Sequence, residues 1–134
     1  MPKQMLRQPK PPRPTNAEFQ ILRVLWQRGP STVRDVHDAL DRTKPVGYTT
    51  VLKLLQIMIE KSLVRRDAST RSHVYAATAS EAATRRQMVT DLAKRAFGGS
   101  TVRLVLHALA ATPATAPELD QIRKLLDEKK KGEP

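Results

Sequence analysis

Tyr48, Thr49 and Thr50 place a phenol and two hydroxyls at the start of one segment, and Lys53 adds an amine a turn later. These are groups that hydrogen-bond base edges and phosphates. Val51, Leu55 and Met58 fall at i, i+4 and i+7, so the spacing predicts a helix from Tyr48 to about Lys61 or Ser62 with one apolar face. Such a helix docks through its stripe and offers a polar first turn to a DNA groove, and its N-terminal N–H groups also favour phosphate. Taken alone, the segment fits a core helix with an ordinary polar cap equally well. Its neighbours decide.

Two helices must precede it. Thr15 and Glu18 have capping-box spacing, Phe19, Leu22, Leu25 and Trp26 form a stripe, and Gly29-Pro30 ends the first helix. Thr32 and Asp35 repeat the cap, with Val33, Val36 and Leu40 as the buried face and Thr43–Gly47 as the turn. That succession is a helix-turn-helix. The period then changes. Leu63–Arg66 and His73–Ala76 flank the polar stretch Asp67–Ser72, which reads as a β-hairpin. A hairpin directly after such a helix is a wing. Arg65, Arg66, Arg71 and His73 charge it, and its alternative is a plain solvated hairpin.

The second half is helical. Ser80 caps a helix to about Phe97, with Met88, Leu92 and Ala96 on one side, and Gly98-Gly99 closes it. Ser100 opens the next, with Val102, Val105, Leu106 and Leu109 buried as far as Thr112-Pro113. Thr115 and Glu118 cap the last, with Leu119, Ile122, Leu125 and Leu126 in a stripe. Three helices of this size bury little among themselves. A second copy is the expected cover, with Leu92, Phe97, Val102, Val105, Leu119, Ile122 and Leu126 as the dimerisation residues. Packing back on the helix-turn-helix in a monomer is the alternative.

The expected fold is therefore mainly α: a winged helix-turn-helix over 15–79 and a three-helix dimerisation region over 80–127. A basic, Pro-rich arm over 1–14 and a flexible tail over 128–134 complete the division. The net charge is +11 from 24 basic and 13 acidic residues, which points to a polyanionic partner. Only 4% of residues are aromatic, which argues against a single-strand binder built on base stacking. Zero cysteines exclude disulfides and thiolate metal sites. With no membrane-length apolar run and no signal core, the chain reads as cytoplasmic, without membrane insertion.

No catalytic or metal constellation is visible, and no cofactor is expected. His37, His73 and His107 lie in different elements, and His37 reads as a helix-surface residue. Gly98-Gly99-Ser100 is too short for a phosphate loop, and Asp35, Asp38 and Asp41 read as one exposed helix side. An enzyme is not expected.

The chain resembles the BlaI/MecI-type penicillinase repressors, bacterial winged-helix transcriptional regulators. The carrying residues are Glu18, Leu25-Trp26, Thr32–Val36, Tyr48-Thr49-Thr50-Val51, Lys61, Arg71 and Tyr75. Phe97-Gly98-Gly99-Ser100, Leu104-Val105, Glu118-Leu119 and Leu125-Leu126 extend the match, which spans about Thr15 to Asp127. The resemblance implies a homodimer whose winged helices bind the halves of a palindromic double-stranded operator. It implies a repressor of genes for β-lactam resistance or for a membrane sensor metalloprotease, released when that sensor triggers cleavage. The cleavage point aligns near His107-Ala108, where the best-known members carry Asn-Phe. Without cysteine, the copper-responsive branch is excluded. Ser62 stands where Gly is usual, which implies a less sharply ended helix. Ile57 and Ile59 are unusually apolar and are expected to pack against the second domain. The candidate DNA contacts are Arg34, Tyr48, Thr49, Thr50, Lys53, Arg65, Arg66 and Arg71. Two other readings compete: a low-specificity nucleoid-associated protein, and a module that binds another protein.

Overall fold

Every described helix except α3 begins where a hydroxyl can replace a missing intrahelical partner. Thr15, Thr32 and Thr115 each accept from the backbone N–H three residues on, and Glu18, Asp35 and Glu118 return a bond to the cap backbone. Ser80 and Ser100 cap through one hydroxyl bond each, to the N–H groups of Ala83 and Arg103. The computed structural model describes residues 13–132. Their order is α1 (Asn16–Arg28), α2 (Val33–Asp41), α3 (Tyr48–Glu60), β1 (Val64–Asp67), β2 (Val74–Ala77), α4 (Glu81–Ala96), α5 (Thr101–Ala111) and α6 (Ala116–Lys131). This is a winged helix-turn-helix followed by a helical region. The arm read over 1–14 lies outside the described residues except for Arg13 and Pro14. α6 runs on to Lys131, so residues 128–131, expected in a flexible tail, are helical.

The chain divides after Met88 into two compact units. In the first, Ile21, Leu22 and Leu25 of α1, Val36 of α2 and Val51, Leu55 and Met58 of α3 form the core with Val64 and Tyr75. The wing is antiparallel, with Val64 opposite Ala77 and Asp67 opposite Val74. Both strands lie one residue later than the sequence pattern suggests. The pattern lacks Asn-Gly, and the register is set from outside the hairpin. Ser31, in the turn between α1 and α2, exchanges two backbone bonds with Tyr75, of 2.9 and 2.8 Å. Trp26 Nε1 donates to the Ala79 carbonyl at 2.9 Å, fastening α1 to the chain beyond the wing. The division falls within α4 because its start belongs with α1: the Arg85 guanidinium lies 6.0 Å from the Phe19 ring centroid. Ile59 packs on this same core.

The end of α3 carries the main departure from expectation. Ser62 adopts φ +63°, its N–H donates to the Ile59 carbonyl, and the Leu63 N–H donates to that of Met58. That pair of bonds is a Schellman stop, so the helix ends as sharply as with Gly, at the cost of a left-handed Ser. Next to it, Lys61 Nζ bonds both oxygens of Glu18, at 2.8 and 3.1 Å. Glu18 is 2% exposed, and Lys61 reaches it with a side chain 32% exposed.

Among the described residues of the second unit, Ala93 is the one apolar side chain that is buried. Gly98 and Gly99 take φ +60° and +86°, which turns the chain from α4 into α5, and Gly99 N–H closes on the Ala93 carbonyl. α5, expected to be buried, has no buried residue: Val102 is 68% and Leu106 61% exposed. α6 has none either, and Leu119, Leu125 and Leu126 are exposed. A single unit of this length has too little mass to cover them.

Two outcomes follow from the α3 terminus. Ser62→Gly removes the left-handed strain and raises stability by about 0.5–1 kcal/mol in urea unfolding. Lys61→Met strands a buried carboxylate and lowers stability by roughly 1.5–3 kcal/mol. Burial pushes the Glu18 carboxyl up, but the Lys61 and Thr15 bonds outweigh it and hold the group below its ordinary value. Its stabilisation is present above the ordinary carboxylate value and is lost as pH falls through the depressed one. Acid unfolding of Lys61→Met should therefore begin at higher pH than in the unaltered chain.

Candidate nucleic-acid interface

α3 is amphipathic along its whole length, and this orients the polar residues. Val51, Leu55 and Met58 are fully buried, so Tyr48, Thr49, Thr50 and Lys53 are turned outward, and all four are exposed. Gly47 caps the helix without a side-chain bond, which leaves its first turn open. Tyr48 is 43% exposed and carries the Arg34 guanidinium 5.6 Å from its ring centroid. That separation suits a cation–π contact.

A shallow groove of about 470 Å³ runs between the start of α2, α3 and the wing tip. Arg34 and Asp35 line it from α2, Tyr48 and Leu52 from α3, and Arg71 and His73 from the wing. Asp35 is committed to the cap: the Thr32 backbone and side-chain bonds hold it below the ordinary carboxylate value. It stays ionised, and the two cations Arg34 and Arg71 outnumber it in the groove lining. The fold thus brings Arg34, Tyr48 and Arg71 together. Arg65 and Arg66 do not line the groove. They are successive residues of β1, so they project to opposite faces of the hairpin, and both are exposed.

The expected dimerisation residues lie in the second unit's helices and their connection. Leu92, Val102, Val105, Leu119 and Leu126 are exposed, and Ile122 is half-buried. Phe97 is engaged within its own chain, with its ring centroid 5.4 Å from that of His107.

Sequence reasoning missed the role of His37. It is not a free helix-surface residue: its side chain is 19% exposed, and both ring nitrogens have partners, Asp38 Oδ1 at 3.0 Å and the Val46 carbonyl at 2.9 Å. Asp35, Asp38 and Asp41, read as one exposed helix side, each make a local bond. Asp35 caps α2, Asp38 meets His37, and Asp41 accepts from the Val46 N–H at 3.1 Å. Among the described residues, no group of His and acidic side chains could hold a metal ion, and no helix is long and apolar enough to cross a membrane.

Comparison with known proteins gives a consistent result. A family model described as penicillinase repressor matches residues 14–128. The transcriptional regulator BlaI of Mycobacterium tuberculosis, in two strains, is 33% identical over 117 residues, covering 86% of this chain and 83% of that protein. A solved structure of HOP2 aligns with 44% of this chain and 92% of its own at a TM-score of 0.40 and 19% identity, too loose a likeness to carry weight.

Proposed function

The chain belongs to the penicillinase repressor family of transcriptional regulators, and on that premise we propose that two copies act together as a sequence-specific repressor on a palindromic operator. It is a DNA-binding regulator and not an enzyme. The observation that carries the finer reading is the exposed first turn of α3 beside a cationic groove, on a chain of net charge +11. Thr49, Thr50 and Lys53 enter the major groove and read base edges, while Arg34, Tyr48 and Arg71 seat the phosphate backbone alongside. Arg65 and Arg66 extend the backbone contact from the wing. Double-stranded DNA is the partner that suits this geometry, since few aromatic rings are available to stack unpaired bases.

The dimer reading is supported by the apolar faces of α5 and α6. Residues such as Val102, Leu106 and Leu126 are more than half exposed in one chain, and a two-fold copy of the same face is the simplest cover. Release by a membrane sensor protease, or by a protease it activates, would act in this same unit. His107 and Ala108 are exposed but lie within α5, so a protease that reads extended backbone must first unwind that helix.

Binding to a duplex from upstream of the chain's own gene should fall with a log–log salt slope of about −0.9 per phosphate neutralised. Arg34→Ala and Arg71→Ala should each flatten it by about one. Unchanged slopes in both variants would remove the groove from the DNA contact. Ile122→Asp places a charge twice in the two-fold contact, where a buried isoleucine contributes roughly 1.5–3 kcal/mol per copy. Light scattering should show a monomer, and tight binding to the upstream duplex should be lost while the winged helix stays folded. A monomer that binds undiminished would overturn the dimeric mechanism. Equal affinity of the unaltered chain for random duplexes would favour the low-specificity reading.

A further inference from the structure

Val46 immediately precedes the α3 cap, and α2 holds both of its backbone polar groups. Its N–H donates to Asp41 Oδ1, and its carbonyl faces His37 Nε2 at 2.9 Å. The other ring nitrogen, Nδ1, faces Asp38 Oδ1 at 3.0 Å. A carbonyl and a carboxylate are both acceptors, so each ring nitrogen must carry a proton for both bonds to form. A neutral imidazole has one N–H and would turn a lone pair toward one of the two acceptors. The ring also lies 6.0 Å from that of Tyr48, the first residue of α3. Gly47 gives α3 no side-chain cap, so the two Val46 bonds are what hold the chain just ahead of the helix start.

We propose that His37 is a positioning residue for the DNA-reading helix: with a proton on both nitrogens it clasps Val46 to α2 and so sets where Tyr48, Thr49 and Thr50 are presented. This rests on the reading of α3 as the DNA-contacting helix. The groups around the ring are Asp38 and Asp41 from its own helix, Tyr48 from α3 and the Val46 carbonyl from the loop. Arg34, one turn earlier on α2, is engaged with Tyr48. The Asp38 bond raises the affinity of the ring for its proton. Partial burial opposes this, and the Val46 bond and the Asp41 and Asp38 charges add to it, so the ring titrates above the ordinary histidine value. The clasp is thus fully formed below that ordinary value and is lost as pH rises through the raised one. DNA that fits the clasped form binds the protonated protein better, and each unit by which DNA raises the titration point allows a change of about tenfold in affinity.

The test uses the isotope-labelled full-length chain from about pH 5.5 to about pH 8.5, a window that spans histidine titration. Nuclear magnetic resonance follows the His37 ring and the Val46 amide. At fixed ionic strength, binding is measured to the upstream duplex and to a random one. The Val46 signal should move with the His37 midpoint, and upstream-duplex affinity should fall up to about tenfold across it, with a smaller change for random DNA. His37→Gln should flatten that profile. Asp38→Asn, which keeps the ring but removes its carboxylate, should move the midpoint to lower pH, and circular dichroism confirms that both variants fold. Both keep His73, the titratable group of the wing. A profile that His37→Gln leaves intact assigns the pH dependence to another group, such as His73 or His107, and overturns the proposal, as does a Val46 signal indifferent to the His37 titration. If Val46 follows His37 but neither duplex binds at any pH, it is the DNA reading of α3 that fails.

Discussion

A carboxylate buried in so small a core must have its oxygens satisfied, and Glu18 meets that requirement from two directions. Its oxygens accept from the Thr15 backbone N–H at the start of α1 and from Lys61 at the end of α3. Leaving either donor out would cost the desolvation of a charge, so the two helices are held at one separation and one rotation. That rotation decides which side of α3 lies in the core. With Val51, Leu55 and Met58 inward, the threonines and Lys53 have nowhere to go but out. The polar first turn, the groove beside it and the position of the wing all inherit this geometry.

What the sequence made legible was whatever is decided within one or two turns. Caps at Thr15, Thr32 and Thr115 depend on a partner three residues away, and all three form as the spacing implies. The stripe of α3 depends on its own period. The residues that escaped have distant or backbone partners. Lys61 and Glu18 lie 43 residues apart, and nothing local marks them as a pair. His37 bonds a main-chain carbonyl nine residues on, and a carbonyl has no signature in a string of residue types. Ser62 in a left-handed conformation is opposed by its own preference, and the two Schellman bonds override it. Both wing strands lie one residue later than their pattern suggests, and Ser31 bonds the far strand from outside the hairpin.

The two units solve opposite problems. The first surrounds its apolar residues on all sides, using three helices and a hairpin. The second has helices with well-formed caps and sound periodicity but no third layer to pack against, so periodicity identified its apolar faces without saying what covers them. Local propensity and capping are enough to define those helices. They do not supply a core.

The bond from Trp26 to the Ala79 carbonyl spans 53 residues, and the Ser31 bridge to Tyr75 spans nearly as many. α1 is synthesised well before the wing, yet its tryptophan and the turn after it gain their last partners only when the far strand of the wing has been made. Contacts this distant in sequence are slow to close and form late. On the ribosome, the first helix therefore waits for the whole unit to emerge. A nascent chain stalled before β2 would hold a capped helix whose apolar side is still searching for its seat. Until β2 arrives, that helix is open to chaperones and proteases.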